Sequence, residues 1–168
     1  VALTQGSEVR RPDPDSPSGD GFAQESFVDI GTLATISEFS SPQAGLMLLR
    51  CTAGERFRIT RRSRMKHGLW VADVQALPPD APTTVPPDLQ LVAQALQNVI
   101  TQLQARGSEL PTPLQPPYQF EDCGWVANRW CELLQLPPEL KQSLMQLDNP
   151  LLRLELVGDF LSRSGIQA

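Results

Sequence analysis

The feature that most constrains this fold is a change of hydrophobic period across a proline-rich segment, residues 78–88. Before this segment apolar and polar residues alternate, which is typical of strands. After it apolar residues recur at three- and four-residue spacings, which is typical of amphipathic helices. Proline lacks a backbone N–H and restricts φ, so neither a sheet nor a helix continues through the segment. The sequence therefore predicts an α+β protein with a β subdomain at 1–80 and a helical subdomain at 81–168.

The β half is predicted to contain strands joined by short turns. One stretch, residues 46–51, is almost continuously apolar and indicates a buried strand. Strands connected in this way form an antiparallel meander or a small barrel. The predicted strands are residues 27–37, 46–51, 56–60 and 69–77, with turns at 40–45, 53–55 and 65–68.

The helical half is predicted from four apolar patterns. Asp88 is a plausible N-cap of the first helix, and Gly107 is expected to end it. Pro138 begins a short third helix, and Asp148 or Asn149 caps the last one. The expected inward-facing residues of the first helix are Val92, Ala95, Leu96, Val99, Ile100 and Leu103, and those of the last are Leu151, Leu154, Val157 and Leu161.

The predicted second helix, residues 122–134, contains two of the three tryptophans and two of the three cysteines. Helical geometry separates Cys123 from Cys131 by about 12 Å, whereas disulfide Cα atoms lie within about 7 Å. A metal site would need further ligands, and the only histidine, His67, lies in a distant turn. We therefore expect packed thiols here, with neither a disulfide nor a metal site.

The two tryptophans of this helix fall on different faces. Trp130 lies on the apolar face and is expected in the core, whereas Trp125 lies on the polar face near Arg129. Trp125 is either covered by a second element or exposed for a partner. We favour covering, by the preceding segment, residues 116–120, or by the barrel. The candidate protein-binding residues are Tyr118, Phe120, Trp125 and Arg129.

A basic run between Arg56 and Lys66 permits two interpretations. It could be the solvated face of an edge strand, where cations discourage aggregation. It could instead bind RNA through Arg58, Arg61 and Arg62. The formal net charge of −5 and the small number of lysines argue against nucleic acid.

Motifs for catalysis are missing from the sequence. No phosphate-binding Gly-rich loop of the G-x-x-x-x-G-K type occurs, and a Ser–Lys or Ser–His–acid site would have to recruit Lys66, Lys141 or His67 from unsuitable positions. We therefore predict no enzyme and no cofactor. No apolar run of about 18 residues could span a membrane, no signal peptide is evident, and the odd cysteine count fits a reducing cytoplasm.

Three stretches carry motifs in a recognisable order. Residues 31–36 read Gly-Thr-Leu-Ala-Thr-Ile, residues 54–59 read Gly-Glu-Arg-Phe-Arg-Ile with a further strand at 69–74, and residues 127–161 contain Leu-Gln-Leu, Lys-Gln-Ser-Leu-Met and Arg-Leu. These resemble the G-T-x-A-x-I strand, the G-x-x-R-F-x-I hairpin and the helical pattern of the Lon protease N-terminal domain, the substrate-binding LON domain.

The resemblance implies a PUA-like antiparallel β pseudobarrel followed by a C-terminal α-helical bundle. It also implies a non-catalytic module of the bacterial cytoplasm that recognises unfolded or regulatory protein clients. The sequence resembles a stand-alone LON domain, because the ATPase and protease modules of full-length Lon have no counterpart in it. The family's opening Pro-Leu-Phe-Pro-Leu strand is also absent, and we expect that strand ahead of Val1 if the chain begins inside its parent protein.

Overall fold

Strands precede helices along the chain, as the sequence predicts, and the antiparallel sheet with its helices confirms an α+β fold. The chain divides into two compact units, a β unit at residues 1–79 and a helical unit at residues 80–168. The computed structural model describes residues 3–5, 12–13, 15, 25–66, 68–106, 114 and 116–165. The predicted helix end at Gly107 and the candidate His67 lie outside the described residues.

The elements follow in this order. The strands are β1 (Leu3–Gln5), β2 (Ser26–Phe27), β3 (Ile30–Gln43), β4 (Leu46–Arg64) and β5 (Trp70–Ala76). The helical unit contains a 3₁₀ turn (Pro87–Leu89), α1 (Gln90–Ala105), α2 (Cys123–Leu133), α3 (Pro138–Gln146) and α4 (Pro150–Arg163).

The β unit is built on a long hairpin of β3 and β4. Its turn contains Gly45 at φ +82°, a conformation that glycine adopts without steric penalty. β4 pairs antiparallel with β3 on one edge and with β5 on the other, and β1 pairs separately with β2. The described strands therefore form an open three-stranded sheet and a two-stranded pair, which do not close into the predicted barrel.

Two predictions within this hairpin are wrong. The expected turn at 53–55 does not form, because β4 continues through it and one extra residue of β4 is accommodated where the β3–β4 register shifts between Thr32 and Ala34. The apolar run at 46–51 is exposed instead of buried, with Met47 69% exposed. This run lies beyond the part of β4 that pairs with β5, and of the described strands only β3 accompanies it.

The helical unit encloses the apolar core predicted from the helical stripes. The indole N–H of Trp130 donates a 3.0 Å hydrogen bond to the Val92 carbonyl, which satisfies the polar atom of that buried side chain. Buried side chains include Val92, Leu96, Ile100, Leu114, Val126, Ala127, Trp130, Leu144, Leu154, Val157 and Leu161.

Helix capping agrees with the sequence in one of the two predicted places. The Asn149 side chain accepts hydrogen bonds from the N–H groups of Leu151 and Leu152 at 3.0 and 3.2 Å, so it caps α4 as predicted. The prediction that Asp88 caps α1 is wrong. Asp88 lies inside the 3₁₀ turn, and α1 begins at Gln90 without a side-chain cap.

One buried charge was not predicted from the sequence. Arg153 is 2% exposed and forms a two-bond ion pair with Asp80, at 2.5 and 3.1 Å. Its remaining N–H groups donate to the carbonyls of Leu144 and Leu147 and to the Asn128 amide oxygen. All five guanidinium donors thus have partners, which allows this charge to remain in the core.

Candidate functional site

The predicted protein-binding residues come together as an aromatic cluster, which we define as Tyr118, Phe120 and Trp125. Tyr118 stacks on Phe120 with a centroid distance of 5.4 Å. Trp125 meets Phe120 edge to face at 5.2 Å and Tyr118 at 6.2 Å. All three side chains are partly buried. The preceding segment therefore packs against Trp125, as the sequence analysis favours, while each of the three residues retains some exposed surface.

Asp122 holds this cluster in position. Its carboxylate accepts from the Trp125 N–H at 2.8 Å, which caps α2, and from the Thr83 N–H at 3.0 Å. The neighbouring Val85 N–H donates to the Glu121 carbonyl at 2.9 Å. The segment before α2 is thereby fixed against the chain near Thr83, and the rings at 118 and 120 are fixed with it.

Arg129 extends the aromatic cluster along α2. It lies four residues after Trp125, and its guanidinium carbon is 5.7 Å from that ring centroid, a cation–π distance. Arg129 also forms an ion pair with Glu132 at 2.7 Å. Desolvation raises the pKa of the Glu132 carboxyl, and the charge of Arg129 opposes that shift.

A cleft of about 380 Å³ adjoins the aromatic cluster in the helical unit. Phe120 belongs to both the cluster and the cleft, so the two form a continuous surface. The cleft is lined by Thr84, Val85, Gln90, Ala93, Gln94, Gln97, Phe120 and Glu121.

The chemistry of this cleft suits binding. The amides of Gln90, Gln94 and Gln97 can each donate and accept hydrogen bonds, as a peptide backbone requires, and Phe120 offers an apolar contact. These glutamines were not predicted from the sequence. Their spacing on one side of α1 was a usable signal, but their proximity to Phe120 depends on the tertiary pairing of Val85 with Glu121.

The cysteines are free thiols, as predicted for the pair in α2. Burial raises the pKa of the Cys123 and Cys131 thiols, which keeps both protonated and weakly reactive. Cys51, by contrast, is exposed on β4. Within the described residues, no group of three or more His, Cys, Asp or Glu side chains is arranged to hold a metal ion.

The basic run on β4 is largely engaged within the β unit. Arg61 pairs with Asp73 at 2.7 Å, and Arg62 donates to the Phe27 carbonyl at 3.0 Å while lying over that ring. Arg58 is exposed. These contacts favour a solvated strand face, and the RNA-binding alternative gains no support. The prediction that this strand lies at an edge is wrong, because β4 is the middle strand of the three-stranded sheet. No helix within the described residues combines the length and apolar character needed to cross a membrane.

Two solved structures of Lon N-terminal domains are similar to this chain. The chain is similar to a Lon N-terminal domain protein from Xanthomonas campestris, with 28% identity, 77% of this chain and 66% of that chain covered, and a TM-score of 0.61. It shares its fold with the N-terminal domain of Lon protease from the Mycobacterium avium complex, with 17% identity, 83% and 73% coverage, and a TM-score of 0.52. No curated protein sequence matches it.

The family model for the ATP-dependent protease La (LON) substrate-binding domain matches residues 13–163. That range contains the candidate site, including Phe120, Trp125 and the glutamines of α1. The chain therefore belongs to the LON substrate-binding domain family.

Proposed function

We propose that this chain is a non-catalytic recognition module that binds unfolded polypeptide through the aromatic cluster and its adjoining cleft. The observation that carries the proposal is the contact of three partly exposed aromatic residues, through Phe120, with a cleft lined by amides, in a chain of the LON substrate-binding family. Apolar client side chains would contact Phe120 and Trp125. The client backbone would hydrogen-bond to the glutamine amides of α1.

Binding of fluorescein-labelled unfolded casein, followed by fluorescence anisotropy, tests this function. Gln97→Trp fills the cleft from a position that is already exposed on α1, and we expect it to weaken binding by about tenfold or more. The matched control is Gln102→Trp, the same change on the same helix at an exposed residue outside the cleft lining.

Two results would count against the proposal. Absence of casein binding by the unaltered chain would contradict the proposed function. Equal loss of binding in both tryptophan variants would show that the cleft is not the binding site, since of the two altered residues only Gln97 lines the cleft.

Family membership supports several finer proposals. We propose that residues 1–80 act as a β subdomain of the PUA-like pseudobarrel type and residues 81–168 as an α-helical bundle subdomain. We also propose that the protein acts in a bacterial cytoplasm on unfolded or regulatory protein clients and carries out no catalysis. Proteolysis and unfolding assays with casein, run with and without ATP, would detect any activity beyond binding.

A further inference from the structure

The outer edge of β4 is only half covered. β5 pairs with β4 from Phe57 to Arg64, and the Leu77 N–H adds one further hydrogen bond to Arg56. Pro78 and Pro79 follow directly, and since proline has no N–H, the pairing cannot continue. Of the strands that the structure describes, none pairs with residues 46–55 on that edge.

The same part of the hairpin presents an apolar face. Directly paired residues and residues two apart on a strand share a face, and Phe39 pairs with Leu49 while Ile36 pairs with Cys51. Met47 lies two residues from Leu49 and joins them. We call these five residues the apolar hairpin face. The apolar side chains Ile36, Phe39, Met47 and Leu49 are each between 57% and 69% exposed.

Among the residues that the structure describes, little protects this edge against strand pairing. Natural sheet edges carry charges, prolines or covering segments. Residues 46–55 contain two charged side chains of opposite sign, Arg50 and Glu55, and Arg50 pairs with Glu38 on the opposite face at 3.4 Å. A row of backbone donors and acceptors in an exposed strand is matched by another extended polypeptide, whose own groups repeat at the same spacing.

We propose that residues 46–55 of β4 bind an extended, apolar segment of a client polypeptide by strand addition, in line with β5. Every second client side chain would then project on the same side of the sheet as the apolar hairpin face and extend it. The inference rests on the proposed function for its client class, and it adds a second binding surface, in the β unit. The low charge of this edge selects apolar segments, and the need for backbone N–H groups selects against proline.

Peptides with altered backbones test the strand pairing directly. The probe is a fluorescein-labelled peptide of about ten alternating Val and Thr residues with terminal lysines, long enough to match residues 46–55. Two derivatives carry N-methyl groups on either the odd or the even residues. Only one edge of an added strand faces β4, so we expect one derivative to bind about tenfold or more weakly and the other to bind like the parent.

Variants of the full chain locate the site. Met47→Lys with Leu49→Lys places charges on the apolar hairpin face at exposed positions, and we expect about tenfold or more weaker peptide binding. Leu156→Lys, at an exposed leucine of α4, is the matched control and should bind normally. Circular dichroism of each variant verifies that the fold is retained.

The outcomes separate this inference from the proposed function. Casein binding without peptide binding, or equal weakening by both N-methylated derivatives, overturns strand addition and leaves the cleft function standing. Loss of casein binding in the Gln97→Trp variant with retained peptide binding supports a second, independent surface. A chain that sediments as a dimer, becomes monomeric on Met47→Lys with Leu49→Lys, and binds no peptide would assign the edge to a second copy and overturn the client proposal.

Discussion

Replacing Arg153 with Met is expected to be among the most destabilising single changes in the helical unit. Methionine has a side chain of similar length to that of arginine, but it is uncharged and cannot form the ion pair with the Asp80 carboxylate. The carbonyl oxygens of Leu144 and Leu147 and the amide oxygen of Asn128 also lose the hydrogen bonds that Arg153 donates to them. Removing one partner of a buried ion pair costs about 3–5 kcal/mol, a large part of the ~5–15 kcal/mol stability of a typical domain.

Urea unfolding measured by far-ultraviolet circular dichroism reports this loss, because the helices dominate the signal. With a urea dependence of about 2 kcal/mol per molar, a cost of about 4 kcal/mol lowers the midpoint by about 2 M. The matched control, Arg163→Met, changes an exposed arginine in the last turn of α4 and should cost at most about 1 kcal/mol.

A double variant examines the cause of the effect. Adding Asp80→Asn removes the charge that loses its ion pair in Arg153→Met, so the two changes together should cost about 1–3 kcal/mol less than their sum. If Arg153→Met lowered the midpoint no more than Arg163→Met, the buried pair would not be what holds the helical unit together. Strict additivity would show that the two side chains act independently.

Three further predictions test other parts of the structure. Asp122→Ala removes the acceptor of two backbone N–H groups, and thermal unfolding should show a loss of about 1–2 kcal/mol. Leu49→Ala should cost less than about 0.5 kcal/mol in urea because the side chain is exposed, whereas Leu96→Ala in the core should cost about 2–5 kcal/mol; similar costs would contradict the exposed hairpin. A thiol reagent should modify Cys51 first at neutral pH, because burial raises the pKa of Cys123. Since that thiol ionises more readily in the unfolded chain, its contribution to stability should fall as pH rises above about 8.5, and prompt neutral-pH labelling of Cys123 would contradict its burial.

The helices and their faces could be predicted because a helix joins residues four apart in sequence. The stripe that buries Val126 and Trp130, and the cap at Asn149, follow from neighbouring residues alone. The aromatic cluster could be predicted for the same reason, since Tyr118, Phe120 and Trp125 are close along the chain. Asp88 failed as a cap because a 3₁₀ turn precedes α1, and composition alone does not distinguish the two.

The cleft could not be predicted from the sequence, because it depends on tertiary contacts. Gln94 and Gln97 border Phe120 only because the segment at Val85 hydrogen-bonds to Glu121, more than a helix length away in sequence. No periodicity encodes that pairing, since the hydrogen bonds that form it are not local.

The sequence by itself determined the order of strands and helices, the apolar faces of the helices and the family motifs, because each depends on residues within a few positions of one another. Only the tertiary structure decided that residues 46–51 are exposed, since the side chains of a strand are buried only where another layer packs on the face of the sheet, and in the described part of the chain this run stays exposed. It likewise decided that Arg153 is buried, because the carboxylate that neutralises it, Asp80, lies 73 residues away along the chain.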